Sequence, residues 1–292
     1  MARETPRASG AARPKRRRGG PDEDELTQLI VDKVTEKVQA KVNETLARKL
    51  GANAGDMLDL WTRHDPSARR PRFTREDIAT AAVRIADLEG IDALSMRRLA
   101  TELGAGTMTL YHYVRTKDEL LALVTDVVMG EIVVAPEALP KDDWRAGMTA
   151  IARSTRAALE RHPWVFDIVD DPAAGPNGVR HFDQSMQAVA SLPGTMADKL
   201  DVIFAVDEYV FGHCLHRRQD VEGGISAQGD AAMLRYVGGL VAGGGYPELA
   251  SLIATHGLEQ MWTMVMDHGR DDERFDRTLA RLLDGIAATL SS

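Results

Sequence analysis

The sequence predicts an all-α protein in which an N-terminal helix-turn-helix domain precedes a larger helical bundle. Three observations carry that expectation. Capping residues and glycine stops alternate at helical spacing from Thr74 to Gly90, from Ser95 to Gly104 and from Thr116 onward. Beyond residue 140, apolar residues recur in steps of three and four, interrupted by glycine-rich stretches at 172–178, 223–229 and 243–245. Alternating apolar and polar runs bounded by turns, the mark of strands, are missing.

Composition sets the outer limits. The chain has 292 residues, enough for about two domains with a buried core. One cysteine, Cys214, excludes an internal disulfide framework and a multi-cysteine metal centre. No run of 18 apolar residues is present, so no membrane span is expected. The basic N-terminus lacks the apolar stretch of a secretory signal, and a cytoplasmic protein is expected. The net charge of −8 conceals an asymmetry: +5 over 1–22, −3 over 23–62, +3 over 63–117 and −13 over 118–292. A positive first third joined to an acidic remainder points to a polyanion as partner of the first part alone.

Residues 1–22 hold Gly, Pro, Ala, Ser and Arg without a hydrophobic period and read as a basic disordered arm, with a cationic run from Lys15 to Arg18. Residues 23–72 read as an extension. Within it, from Asp22 to Leu50, Leu26, Ile30, Val34, Val38, Val42, Leu46 and Leu50 recur every fourth residue, between an acidic start and Arg48-Lys49-Gly51. A step of four drifts by about 40° around a helix of 3.6 residues per turn, so this stripe spirals. It reads as one amphipathic helix that packs on something, not as a long coiled coil. A short amphipathic piece around Leu60 and Trp61 leads into a basic linker with Arg63, Arg69, Arg70 and Arg72.

Residues 73–120 read as a compact module: helices from Thr74 to Leu88, Met96 to Leu103, Met108 to Val114 (opened by Thr107) and Lys117 to Glu131. Residues 121–292 read as the bundle, with further helices near 142–161, 163–169, 177–192, 196–221, 229–241, 247–267 and 272–290. Inside the module, the stretch from Ser95 to Lys117 has the form helix, glycine turn, helix. Leu99, Leu103, Leu110 and Val114 fall on the inner faces and read as core. Ala100 is small where two helices cross, and Gly104 supplies the turn. The second helix then turns Thr107, Met108, Thr109, Tyr111, His112 and Tyr113 outward, a set of short polar groups and aromatic rings suited to phosphates and base edges.

This stretch, SMRRLATELGAGTMTLYHYVRTKDELL, resembles the DNA-binding signature of TetR-type transcriptional repressors, and the likeness extends back through Arg75 to Ile91. A weaker resemblance over 140–290, with His162-Pro-Trp164, is to the ligand-binding domains of actinobacterial members. The resemblance implies a homodimer, a palindromic double-stranded operator and a small-molecule inducer that releases it, with efflux or antibiotic and secondary-metabolite genes under control. By position it implies that Arg97 approaches the DNA and that Thr107, Met108 and Thr109 face the groove. Tyr111 and Tyr113 then reach the backbone, with His112 between them, and Lys117 binds a phosphate. The family often has Leu-Tyr-x-His-Val here; in this chain His112 and Tyr113 stand in the other order. It implies dimerisation through 196–221 and 272–290, and an inducer-driven pivot of Lys117 to Glu131. The extension has no counterpart in typical members. Arg63, Arg69, Arg70 and Arg72 read as an arm for the minor groove or the phosphates.

For the inducer, a pocket needs apolar walls with a few convergent polar groups. His162, Trp164, Phe166, Arg180, His181, Gln184, Phe204, Asp207 and His213 lie on or beside the same helices and are the candidates. An enzyme is the rival class. His213 and His216, one helical turn apart with Asp220 beyond, invite a metal, but an amphipathic helix rich in Val and Phe favours core or pocket roles. Gly243 to Gly245 lacks the preceding strand and the Lys-Ser/Thr of a phosphate loop. No nucleophile elbow occurs. No cofactor, metal or catalysis is therefore expected. A third class, an interaction protein using the N-terminal helix, adds to repression and does not replace it.

Overall fold

The computed structural model describes residues 59–63, 73–140, 142–168, 175–222 and 227–290. The arm expected at 1–22, the helix expected at 22–50, and Arg69, Arg70 and Arg72 lie outside the described residues. By its contacts the chain divides after Asp59, and the architecture below is that of Leu60–Ser292.

Local caps build the first helices. At α1 (Arg75–Glu89) the Thr74 hydroxyl accepts from the Asp77 amide at 3.0 Å, and the Asp77 carboxylate accepts from the Thr74 amide at 2.8 Å. Such reciprocal caps stabilise a helix by about 1 kcal/mol. At α2 (Met96–Glu102) the Ser95 hydroxyl accepts from the Arg98 amide, and at α4 (Lys117–Ile132) the Thr116 hydroxyl accepts from the Glu119 amide. Between them, α3 (Thr107–Tyr111) follows a turn in which Gly104 takes φ +59. Gly106, not Thr107, holds the N-cap position of α3, and the helix ends at Tyr111, short of the expected Val114. Leu99, Leu110 and Val114 are fully buried and Leu103 packs on the same core, as expected.

The body comprises α5 (Trp144–Arg161), a 3-10 turn (Pro163–Asp167), α6 (Pro176–Ala188), α7 (Met196–Glu222) and α11 (Glu273–Leu290). α4 packs on α1 and also on α5 and α6, so it crosses the boundary expected at residue 120. α7 lies on α5, and α11 lies on α7. One apolar core runs from Leu60 to Leu283.

One expectation needs correction. The helix expected at 247–267 is two, α9 (Pro247–His256) and α10 (Leu258–Arg270), because Gly257 turns the chain at φ +80, a region that side chains with a Cβ enter only at a cost of about 1–2 kcal/mol. The face of α11 that carries Phe275, Leu279 and Leu283 is buried in the chain's own core. By contrast α8 (Ala227–Ala242), α9 and α10 pack on one another and give no described residue to that core. They expose Met233, Tyr236, Leu240, Tyr246, Leu252, Met264 and Val265. Among the described residues no helix is long and apolar enough to cross a membrane.

Candidate nucleic-acid interface

Recognition needs a rigid helix with free side chains. α3 is held from behind by Leu110 and, past its end, by Val114, and it presents the rest outward: Met108 is 73% and Tyr111 43% exposed, His112 is exposed, and Thr107 and Thr109 are half-buried. Arg97 on α2 and Lys117 at the start of α4 are exposed beside it. Seven of the expected contact residues are thus accessible from α2, α3 and the start of α4. Ion pairs not foreseen in the sequence fix α2 against α1. Arg98 reaches Glu89 at 2.5 Å and Glu102 at 2.9 Å, and Arg84 reaches Glu102 at 2.5 Å. The spacing of Arg98 and Glu102, one turn apart, is the one local sign of this set.

Tyr113 and Arg63 do not stand where the sequence reading put them. Tyr113 is 4% exposed and belongs to the core. Its position follows from Leu110, Tyr113 and Val114 falling at i, i+3 and i+4, which is one side of a helical turn. Arg63 folds onto the domain: its guanidinium donates to Glu119 at 2.5 and 2.7 Å and to the Tyr113 carbonyl at 2.8 Å. Arg75 joins it on the Tyr113 carbonyl at 3.2 Å and on the Arg63 carbonyl at 2.9 Å. Arg63 is therefore a tie between the extension and the end of the recognition segment, because Glu119 is buried and takes the nearest cation. Burial pushes the Glu119 carboxyl up, but the hydrogen bonds from Arg63 and the Arg115 amide outweigh it, so the group sits below the usual carboxylate range.

Three further ties run along α4. Asp126 accepts from the Asn177 and Gly178 amides at 2.9 and 3.3 Å, capping α6 from outside, while the Asn177 side chain donates to the Asp126 carbonyl at 2.9 Å. Burial pushes the Asp126 carboxyl up in spite of these bonds. Glu131 faces His162 and pairs with Arg161. Just past the helix, the Gln184 amide bonds both ways with the Val134 backbone, at 2.9 and 2.6 Å.

The expected pocket residues separate into several places. His162 is 2% exposed, with Nδ1 2.6 Å from Asp87 and Nε2 3.1 Å from Glu131, and the Trp164 indole donates to Asp87 at 2.7 Å. Both therefore reach α1 and are engaged there, at the C-terminal end of α5, which His162 caps. Gln184 likewise spends its amide on Val134. Arg180 is exposed and donates to Asn177. Phe204 is 53% exposed. Phe166 stacks edge-on to Phe211, 5.9 Å between centroids.

Three of the candidates combine burial with unspent polarity. The His181 ring, depressed in pKa by burial, and the His213 ring each carry a buried nitrogen with no partner. His213 packs on Phe275 at 4.9 Å, and burial with the nearby Arg156, Arg274 and Arg217 charges holds its pKa down at about 4. Burial, with Glu208 beside it, pushes Asp207 up to about 6. Burial also raises Cys214 to about 12, so its thiol is inert. Among the described residues no three His, Cys, Asp or Glu side chains gather to hold a metal. A cleft of about 670 Å³ lies elsewhere, between α8 and the α9–α10 junction, lined by Leu234, Arg235, His256 and Glu259 among others.

Residues 78–124 match the family described as bacterial regulatory proteins, tetR family, and residues 135–290 match the tetracyclin repressor-like C-terminal domain. Among curated proteins the chain is similar to the HTH-type transcriptional repressor DrrR1 of Streptomyces coeruleorubidus, 34% identical over 78% of this chain and 83% of that one. It is also similar to an HTH-type transcriptional regulator of Saccharopolyspora erythraea, 32% identical over 84% and 98%. Among solved structures it is similar to apo ActR from Streptomyces coelicolor, with TM-score 0.57 and 26% identity over 77% of this chain and 99% of that one. ActR in complex with actinorhodin gives TM-score 0.57 and 25% identity, over 75% and 99%.

Proposed function

Because this chain belongs to the tetR family of bacterial regulatory proteins, whose members regulate transcription, we propose that it is a non-catalytic, cytoplasmic repressor that leaves its operator when a small molecule binds the helical body. The observation that carries the DNA half is α3: a helix fixed by its core side and otherwise clear, with Arg97 and Lys117 flanking it. In a homodimer the two copies of α3 enter successive major grooves of a pseudo-palindrome. Met108, Thr109 and Tyr111 read base edges or backbone, His112 lies beside them, and Arg97 and Lys117 meet phosphates. Arg69, Arg70 and Arg72, which precede α1 in the sequence, supply further cations for the phosphates.

The ligand half draws on ActR, whose structure in complex with actinorhodin shares this fold. Asp207, His181 and His213 are the expected pocket residues that keep polar capacity, and aromatic metabolites that carry hydroxyls suit them. Efflux or secondary-metabolite genes are the corresponding targets. The apolar surfaces of α8–α10, together with Phe204 and Leu215 on α7, are where the second copy binds, since patches of this kind mark interfaces. The test is selection of duplexes from a random pool by the full-length chain, followed by a salt series. An enriched pseudo-palindrome is expected. Arg97→Ala and Lys117→Ala each lower the salt slope by about one. A pool without enrichment, or wild-type binding by a triple Arg97, Tyr111 and Lys117 alanine variant, overturns the reading.

A further inference from the structure

His162 is almost sealed from solvent, yet both of its ring nitrogens meet carboxylates from two different helices. Nδ1 lies 2.6 Å from the Asp87 carboxylate of α1, and Nε2 lies 3.1 Å from the Glu131 carboxylate of α4. A neutral imidazole has one donor and one acceptor, so it satisfies one carboxylate and turns a lone pair on the other. An imidazolium donates to both. The remaining groups are disposed to suit. The Trp164 indole donates to the same Asp87 oxygen at 2.7 Å and its ring meets the His162 ring edge-on at 5.7 Å. Arg161 pairs with Glu131 from the exposed side. From α7, Arg218 holds the Pro163 carbonyl at 3.2 Å and Asp167 at 2.9 Å, fixing the turn that carries Trp164. This cluster ties the end of α5 to α1, the first helix of the DNA-reading domain, and to α4.

We propose that Asp87, His162 and Glu131 form a proton-held joint that keeps the DNA-reading domain in its binding orientation on the body. The proposal rests on the DNA-binding reading above. The joint is complete while His162 carries a proton on each nitrogen and loses one of its two hydrogen bonds when the ring gives one up. Its contribution is therefore larger with the doubly protonated ring than with the neutral one. A loosened joint lets the reading helices sample more orientations, and the competent fraction of molecules falls. His162 is a positioning residue, acting on DNA through α1 and α4.

Nitrogen NMR of the full-length chain, labelled on histidine, tests the joint itself. One ring is expected to show both nitrogens protonated, and Asp87→Asn is expected to remove that state. A His162 ring that stays in a single neutral tautomer throughout the folded range overturns the proposal. Affinity for a duplex selected by the wild-type chain, measured over the same pH series, tests the role. A weakening of about tenfold is expected where the ring loses its proton, and no such step in His162→Gln. If His162→Gln does not fold, Asp87→Asn removes the same charged acceptor from the more exposed side. The same step in the variants, or tighter binding on deprotonation, overturns the role. A pool that yields no enriched duplex removes the DNA reading instead, and the ring measurement still decides the joint.

Discussion

A carboxylate as enclosed as Glu119, whose side chain is 5% exposed, needs a cation, and Arg63 stands 2.5 Å away with a side chain 11% exposed. Removing one partner of such a pair leaves an uncompensated buried charge and costs about 3–5 kcal/mol. Arg63→Met is therefore expected to lower stability and DNA affinity while leaving the salt slope of binding unchanged. A phosphate contact would lower that slope by about one. A salt series on the variant distinguishes the two. Asp207 gives a prediction of opposite sense. Its pKa is raised, so the folded state binds a proton more tightly than the unfolded chain, and stability is lost as pH rises through about 6. Asp207→Asn is expected to stabilise the chain at pH 8 by on the order of 2 kcal/mol, a gain that fades as the pH falls from about 6 towards 4. Denaturant melts at pH 8 and pH 4 check it; equal gains at both rule it out.

Among the elements, the contact between α4 and α6 sets the tightest local requirement. A Cβ built on Gly175 falls 2.2 Å from the Asp126 carboxylate, and its nearest neighbours are all Asp126 atoms. Gly175→Ala must displace the carboxylate that caps α6, and a lost cap with its strain costs about 1–3 kcal/mol. Thermal unfolding is expected to drop accordingly. Gly178→Ala, with open space around its Cβ, is expected to unfold near the wild-type temperature. Elements of this kind were legible in the sequence wherever their cause was local. Thr74, Ser95 and Thr116 announce their helices because the cap and its partner sit three residues apart. Tyr113 was legible too, through its spacing from Leu110, although its aromatic hydroxyl argues for the surface. The contact between Asp87 and His162 joins residues 75 apart and leaves no local sign, and the same holds for Asp126 with Asn177 and Arg63 with Glu119.

For the molecule as a whole, the extension reaches into the fold. Leu60 is 1% exposed and belongs to the main core, and Arg63 bonds to the far end of the recognition segment. A chain beginning at residue 59 is expected to melt near the full-length protein. One beginning at residue 73 loses a buried leucine and the partner of Glu119, and is expected to be less stable by several kcal/mol, on the order of 4. Calorimetry of both chains checks it, and equal melting temperatures contradict it. Charge follows the same division. The net −13 of residues 118–292 keeps the body away from a polyanion, so a duplex meets the basic domain first.

The ties along α4 set a mechanical gain. At 1.5 Å per residue, its 16 residues span about 24 Å. The ties at Asp126 and Glu131 lie in the middle and at the far end, and the one at Glu119 lies beside the exposed Lys117. Over that length a tilt of about 5° about the Glu131 end swings the Lys117 end by about 2 Å. In a symmetric pair both ends swing, so the distance between two reading heads changes by up to about 4 Å, more than one base-pair rise of about 3.4 Å. A displacement too small to disturb the packing of the body is thus large enough to put two heads out of step with the grooves.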